Sequence, residues 1–255
     1  MQNLAVFDHV TIRVSELEES QRFYATALAV LGFGAPTSDG HFYEWNDLSI
    51  SQARDDRPPT RNLHVGLVAR SHELVDEFWR TLTEAGFRDD GPPGPREQYR
   101  PGYYGGFVLD PDGNSIEAVY KDNLRSDAGC IDHLWLRVHD VERSIPFYET
   151  IGPVLGFRLQ LREHEWAHFR GRLGSFTLTT PASDWSAARP VTENVHLAFG
   201  APDNATVDEF HRVALAAGYR DNGAPGERDY HPGYYGAYVL DPDGNNVEAV
   251  CHNRD

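Results

Sequence analysis

Residues 99–119 read YRPGYYGGFVLDPDGNSIEAV, and residues 230–250 repeat this stretch almost letter for letter as YHPGYYGAYVLDPDGNNVEAV. In each copy, LDPDGN separates two apolar runs and predicts a hairpin turn, because the proline presets the first turn dihedral and the glycine accepts a positive φ. A repeat of half the 255-residue chain favours two similar domains.

Shorter repeats divide each half again. Four strand-like segments have histidine in second place: DHVTIRV (8–14), LHVGLVA (63–69), DHLWLRV (132–138) and VHLAFGA (195–201). A helix-like segment that closes on glycine plus an aromatic residue follows each of them, and further β-type segments come next. The pattern predicts an α+β fold of four βαβββ modules in two half-barrel domains. We place the first domain at 1–123, a linker at 124–129 and the second domain at 130–255.

The predicted helices begin at polar capping residues. These are a Ser15–Glu18 capping box for the first helix, then Ser71, Asp140, and Asp203 or Asn204 for the other three.

Strand alternation predicts where the four histidines point. Val10, Ile12 and Val14 must lie on one face of the first strand, so His9 lies on the other. With helices on the apolar face, the histidines face the concave side of each sheet. One glutamate from a last strand would join two histidines in each half. The expected groups are His9, His64 and Glu117, and His133, His196 and Glu248.

Two imidazoles and one carboxylate form a ligand set for a divalent metal that leaves coordination positions open. The set does not choose between Fe(II), Zn, Mn and Ni. The alternative is a shared packing role inherited by duplication, although Glu117 and Glu248 would then need other partners if buried. Histidines outside the fourfold register, such as His252, are expected to be solvated or structural.

These motifs resemble the vicinal oxygen chelate superfamily, which includes glyoxalase I, extradiol ring-cleaving dioxygenases, fosfomycin-modifying enzymes and bleomycin-resistance proteins. The resemblance rests on the four histidine segments, on SQRFYATALAVLGF and SIPFYETIGPVLGF, and on the two LDPDGN repeats. It covers essentially the whole chain. It implies the paired-module fold, a small-molecule substrate and the same six residues as metal ligands.

The second half also resembles the extradiol dioxygenase signature, through His231, Tyr238, DPDG and Glu248. This implies catalytic roles for His231 and Tyr238, and the first half has Arg100 and Phe107 at those positions. The fourth ligand typical of glyoxalase I has no counterpart in LSISQAR or SFTLTTP beyond serine, glutamine or threonine. The segment LTTPASDWSAARP lacks the further histidine typical of extradiol enzymes.

Substrate contacts are predicted for three residues. Arg100 is a candidate for binding an anionic group, and Trp135 and Arg137 share the strand face of His133.

The composition limits the partners. The formal net charge is −16 and no Lys/Arg run is present, which argues against nucleic-acid and anionic-membrane surfaces. No apolar stretch approaches 18 residues, and the pattern is that of a cytoplasmic protein, with a homodimer left open. We therefore predict a metal-dependent enzyme of extradiol dioxygenase-like or glyoxalase-like type acting on a small molecule. The alternative is a metal-free binding or antibiotic-sequestering protein.

Overall fold

The computed structural model describes residues 6–121, 129–172, 174–182 and 189–253. The predicted linker 124–129 therefore lies outside the described residues, apart from Gly129. Among the described residues, no helix combines the length and apolar composition needed to span a bilayer.

Four βαβββ modules follow one another along the described chain. Module 1 consists of β1 (His9–Val14), α1 (Leu17–Val30), β2 (Thr37–Ser38), β3 (Phe42–Trp45) and β4 (Leu48–Gln52). Module 2 consists of β5 (His64–Val68), α2 (His72–Glu84), β6 (Arg88–Pro95), β7 (Tyr104–Leu109) and β8 (Ser115–Tyr120). Module 3 consists of β9 (Ile131–Arg137), α3 (Val141–Leu155), β10 (Arg158–Arg162), β11 (Trp166–Arg170) and β12 (Ser175–Thr179). Module 4 consists of β13 (His196–Gly200), α4 (Asn204–Ala216), β14 (Arg220–Glu227), β15 (Tyr235–Leu240) and β16 (Asn246–Cys251).

The strands form two eight-stranded sheets. Their orders are β14-β15-β16-β13-β1-β4-β3-β2 and β10-β11-β12-β9-β5-β8-β7-β6. Module 1 therefore shares a sheet with module 4, and module 2 shares one with module 3. The predicted α+β fold of four βαβββ modules is confirmed, but modules that follow each other within one half do not share a sheet.

Two compact units result. The first contains the described residues of Met1–Val10 together with those of Leu136–Asp255, and the second is Thr11–Trp135. The boundaries fall inside β1 and β9. His9 consequently belongs to the unit that holds β13 and β16, and His133 belongs to the unit that holds β5 and β8.

The alternation predicted for β1 is present. Val10, Ile12 and Val14 are fully buried, whereas His9 and Arg13 on the opposite face are half-buried. The apolar face thus supplies core contacts, and the histidine face is left for polar groups.

Three of the four predicted helix caps are observed. The side chains of Ser71, Asp140 and Asp203 each accept a hydrogen bond from a backbone N–H in the first turn of α2, α3 and α4. The predicted Ser15–Glu18 capping box is wrong.

Helix α1 starts after Glu16, which makes no side-chain cap. Ser15 instead donates from its hydroxyl and its backbone N–H to the Asp112 carboxylate, at 2.6 and 2.8 Å. Because the Ser15 hydroxyl binds this buried carboxylate of the LDPDGN turn, it does not cap the helix.

The repeated LDPDGN turn fixes α1 within the second unit. Gly113 has φ 87°, as predicted, and the backbone N–H of Gly113 donates to the Asp110 carbonyl at 3.0 Å. The buried Asp110 carboxylate accepts from the backbone N–H groups of Asp112 and Asn114 and from the Asn114 amide. It also accepts from the Tyr24 hydroxyl of α1 at 2.8 Å.

Asp241 makes the same contacts in the first unit, with Asp243, Asn245 and Tyr148 of α3. The turn is repeated because each copy anchors a helix as well as reversing the chain.

Candidate metal centres

The first candidate centre, site A, lies in the first unit and consists of His9 of β1, His196 of β13 and Glu248 of β16. Nε2 of His9 lies 3.2 Å from Nε2 of His196. The Oε2 atom of Glu248 lies 3.0 Å from Nε2 of His196 and 3.8 Å from Nε2 of His9. Three ligand-type atoms from three strands that are adjacent in the sheet therefore converge.

The second candidate centre, site B, lies in the second unit and consists of His64 of β5, Glu117 of β8 and His133 of β9. Nε2 of His64 lies 3.3 Å from Nε2 of His133. The Oε2 atom of Glu117 lies 3.2 Å from Nε2 of His64 and 3.4 Å from Nε2 of His133. The two sites share one plan.

All six predicted ligand residues are thus brought together, but the predicted grouping is wrong. Glu117 meets His133 instead of His9, and Glu248 meets His9 instead of His133. The reason is strand pairing. β9 pairs antiparallel with β5, with Gly66 opposite His133, and β5 pairs in parallel with β8, with Gly66 opposite Glu117.

The spacing of the ligand atoms fits a divalent ion. Two atoms that each lie about 2.1 Å from one ion, at an angle of 90 to 109°, are roughly 3.0 to 3.4 Å apart. All three distances at site B fall in this range, and at site A only the distance between His9 and Glu248 exceeds it. No large movement is needed to place an ion at either site.

Proton positions at site B also fit an ion. The Ser115 hydroxyl donates to Asp90 at 2.7 Å, so it accepts the Nδ1 proton of His64 at 3.2 Å. The Nδ1 proton of His133 goes to Asp132 at 2.8 Å. The two Nε2 atoms then face each other with lone pairs, and a positive charge must lie between them, either as an extra proton or as a metal ion.

A tyrosine hydroxyl donates a hydrogen bond to each glutamate. The Tyr103 hydroxyl donates to Oε1 of Glu117 at 2.8 Å, and the Tyr234 hydroxyl donates to Oε1 of Glu248 at 2.7 Å. The second oxygen, Oε2, is left to face the histidines. Sequence reasoning missed these two tyrosines, although their identical positions in the two repeats were a signal.

Glycine makes room for both carboxylates. A Cβ atom on Gly105 would come within 2.3 Å of Oε1 of Glu117, and one on Gly236 within 2.7 Å of Oε1 of Glu248. At site B a Cβ atom on Gly66 would collide with the His133 ring at 2.2 Å. The backbone of these strands is therefore fitted to the ligand side chains.

The electrostatics favour ionised glutamates. Burial by itself raises the pKa of Glu117, but hydrogen bonds with His133 and His64 outweigh it and lower this pKa to about 2. Burial acts on Glu248 in the same direction, and the hydrogen bond with His196 and the charges of the two histidines lower the pKa of that carboxyl below its usual value. An ionised carboxylate at the centre of two imidazoles is the state that binds a cation.

An aspartate orients one histidine at each site. Nδ1 of His9 donates to Asp8 at 2.9 Å, and Nδ1 of His133 donates to Asp132 at 2.8 Å. Such a contact fixes Nε2 as the ligand atom. Sequence reasoning missed both aspartates, although the Asp-His pair opens two of the four modules.

The structure places Tyr238, one of the two predicted catalytic residues, beside site A. Tyr238 is the register partner of Glu248, and its ring centroid lies 6.4 Å from that of His196. Among the described residues, the buried Tyr238 hydroxyl has no hydrogen-bond partner. Burial and the nearby Glu248 carboxylate raise the pKa of Tyr238 well above its usual value, so the phenol keeps its proton as a donor.

His231 is connected to site A indirectly. Its Nε2 lies 2.8 Å from Nδ1 of His252, whose Nε2 lies 3.0 Å from Asp8, the partner of His9. His252 was expected to be solvated or structural, and no spacing in the sequence connects it with Asp8.

The three predicted substrate contacts differ in their surroundings. The Trp135 ring lies at site B, with its centroid 6.4 Å from that of His64 and 6.5 Å from that of Tyr99. Arg100 is half-buried in the segment before β7. Arg137 is only 2% exposed. A substrate contact by its guanidinium is still a prediction.

The family model of the Glyoxalase/Bleomycin resistance protein/Dioxygenase superfamily matches residues 6–118 and 130–249. These ranges make up most of the chain, which therefore belongs to this superfamily. The resemblance inferred from the sequence is confirmed at that level. A search of curated proteins gives no match.

Several solved structures are similar. Glyoxalase I from Zea mays is 18% identical, with a TM-score of 0.64 over 96% of this chain and 92% of that chain. A candidate dioxygenase from Bacillus subtilis subsp. subtilis str. 168 is 14% identical, with a TM-score of 0.65 over 99% and 86%. A Mn(II)-bound glyoxalase from Novosphingobium aromaticivorans is 17% identical, with a TM-score of 0.41 over 100% and 84%. The first two similarities establish the fold.

Proposed function

We propose that this protein is a divalent-metal-dependent enzyme for a small molecule that offers two neighbouring oxygen atoms to the ion. The reaction would be of extradiol dioxygenase-like or glyoxalase-like type, the latter an isomerisation or lyase reaction. The observation that carries this proposal is the convergence of two Nε2 atoms and one carboxylate oxygen within 3.8 Å at site A and within 3.4 Å at site B.

Three protein ligands leave open positions for substrate oxygens. A bound Fe(II), Zn, Mn or Ni ion would supply Lewis-acid stabilisation of negative charge on those oxygens, and Fe(II) would in addition support O₂ chemistry. The protein's own contribution is to hold His9, His196 and Glu248 in a set geometry and to keep the carboxylate ionised.

We propose that turnover occurs mainly at site A, because at the equivalent hairpin positions 107 and 238 only residue 238 is a phenol. Tyr238 offers a buried hydroxyl without a described partner, whereas Phe107 lies at the equivalent place, with its ring centroid 6.0 Å from that of His64. A substrate oxygen beside the ion would accept the Tyr238 hydrogen bond and be oriented by it. Site B, with the Trp135 ring beside His64 and Arg100 in the same unit, would bind an aromatic or anionic ligand or turn over more slowly.

The deciding experiment is metal reconstitution of untagged protein under anaerobic conditions, with Fe(II), Zn, Mn or Ni each supplied alone. Metal content is measured first, and the reconstituted proteins are then tested on catechols and on thiol adducts of α-oxoaldehydes. We expect up to two ions per chain and turnover with at least one metal. A chain that binds no divalent ion but binds small aromatic molecules would be the metal-free sequestering protein instead.

A further inference from the structure

The two sites differ in the side chain that contacts the orienting aspartate, Asp132 at site B and Asp8 at site A. At site B the Lys121 ammonium makes an ion pair with Asp132. At site A the equivalent place, four residues after the glutamate, holds His252, whose Nε2 lies 3.0 Å from both oxygens of Asp8. A fixed cation has therefore been replaced by an imidazole.

A second imidazole continues this contact towards the surface. The rings of His231 and His252 are nearly parallel, with an interplanar angle of 18° and centroids 5.0 Å apart, and they meet edge to edge, with Nε2 of His231 2.8 Å from Nδ1 of His252. Site B has Arg100 at the position of His231. The His252 side chain is 27% exposed, against 10% for Asp8, so the two-histidine pair leads from solvent to the aspartate.

Counting ring protons in these contacts shows that the pair carries a charge. Asp8 can only accept, so Nε2 of His252 carries a proton. The Pro232 carbonyl, 2.8 Å from Nδ1 of His231, can only accept as well, so that nitrogen also carries a proton. The contact between the two rings needs a third proton. Two neutral imidazoles hold only two, so the pair holds one extra proton.

Asp8 and Tyr234 both contact the pair. Tyr234 packs edge-on against both rings, with centroids 5.3 Å away, and its hydroxyl points to Glu248. The Asp8 carboxylate accepts from Nδ1 of His9 and, through both oxygens, from Nε2 of His252. A carboxylate that accepts from imidazoles on two sides faces the pair as a counter-charge.

We propose that His252 and His231 form a proton store for site A, which gives up its extra proton to solvent when a divalent ion binds to His9, whereas Lys121 keeps the counter-charge at site B fixed. This inference rests on the proposed metal site. A dication at His9 adds positive charge on one side of Asp8, and the imidazole pair is hydrogen-bonded to Asp8 on the other side. An alkylammonium keeps its proton at neutral pH. His252 and His231 are positioning residues, since they act on the ion only through Asp8 and His9.

The test counts the protons released when Zn²⁺ binds. Glu117→Ala with His64→Ala leaves site A alone, and Glu248→Ala with His196→Ala leaves site B alone. Zinc is titrated calorimetrically near pH 7 in buffers of different ionisation enthalpy, which gives protons released per ion as well as affinity. The key comparison adds His252→Lys to the site-A-only protein, because lysine already occupies this place at site B.

We expect the site-A-only protein to release about one proton more per Zn²⁺ than its His252→Lys version, with affinities within roughly tenfold. Lys121→His combined with Arg100→His should install the extra release at site B. Equal proton counts with and without His252→Lys would overturn the inference while leaving the metal site intact. Absence of zinc binding in the site-A-only protein would instead overturn the proposed function, and the inference with it.

A measurement on the unaltered metal-free protein covers the case in which a variant fails to fold. Nitrogen-15 NMR of the histidine rings reports which ring nitrogens carry protons. We expect three protons on the four ring nitrogens of His231 and His252 at the pH of the titration, and fewer after Zn²⁺ is added. Two protons before the addition, or three after it, would overturn the proton store.

Discussion

Nε2 of His9 lies 3.2 Å from Nε2 of His196, although 187 positions separate the two residues along the chain. His64, which is much nearer to His9 in sequence, instead lies 3.3 Å from His133. Each candidate metal centre therefore combines the first strands of modules from different halves. A change at His9 or His133 is expected to affect the glutamate of the other sequence half, Glu248 or Glu117.

The crossed pairing predicts which double variants lose both ions. His9→Ala with Glu117→Ala damages both sites, so less than one ion should remain per chain. His9→Ala with Glu248→Ala damages site A alone, so one ion should remain. Metal content after dialysis, measured by elemental analysis, distinguishes the two, and the opposite ranking would contradict the crossed pairing.

Turnover should depend more on Glu248 than on Glu117. Replacing Glu248 with Gln removes a ligand from the site that carries the Tyr238 phenol, and we expect activity on the true substrate to be abolished. Glu117→Gln should leave most of it. Initial rates of the two metal-reconstituted variants test this, and equal losses would argue against a division of labour between the sites.

Tyr238→Phe should lower turnover by roughly two powers of ten, the effect typical of losing one aimed hydrogen-bond donor. Metal content should not change, and stability should not fall, because the buried hydroxyl has no described partner to lose. The matched control is Phe107→Tyr at site B. Steady-state kinetics and thermal melts report both effects, and a drop in stability without a drop in rate would assign Tyr238 a structural role.

Removing the tyrosine behind a glutamate should weaken metal binding at that site only. Tyr103→Phe deletes the hydrogen bond to Oε1 of Glu117, and Tyr234→Phe deletes the bond to Glu248. The loss expected for an outer-shell contact is about 10- to 100-fold in affinity. Competition titrations with a metal chelator measure it, and an unchanged affinity at both sites would show that the glutamates hold their position unaided.

The Asp110 carboxyl predicts a pH dependence of stability. Burial raises its pKa to about 6 against the hydrogen bonds from Asn114 and Tyr24 that lower it. A raised carboxyl pKa means that the folded state binds the proton more tightly than the unfolded state. The stabilising contribution is complete below the unfolded value of 3.8 and is lost as the pH rises through about 6.

The comparison uses Asp110→Asn, which does not titrate. The free energy of unfolding of the unaltered protein should fall relative to that of the variant by about 2.4 kcal/mol between pH 4 and pH 7, since one pKa unit corresponds to ~1.4 kcal/mol and the unfolded carboxyl is already more than half ionised at pH 4. Urea denaturation at several pH values measures it, and Asp241→Asn provides the equivalent change in the other repeat. A difference that does not vary with pH would show that Asp110 titrates near its usual value.

Local patterns in the sequence determined the modules and the direction of their side chains. Alternation along β1 puts Val10 in the core and leaves His9 on the polar face, because successive strand residues point to opposite sides. Proline and glycine in LDPDGN specify the turn through backbone dihedrals alone. Six ligand-type residues could be named for this reason without a structure.

Only the tertiary structure decided which histidine meets which glutamate. Four modules with the same pattern offer equivalent strand edges, and no local signal states that β1 pairs with β13 and β9 with β5. The same holds for residues that act across the fold: Ser15 binds Asp112 instead of capping its helix, and His252 reaches Asp8 from the other end of the chain. Such contacts depend on which edges are buried together, a property of the folded chain that no segment carries by itself.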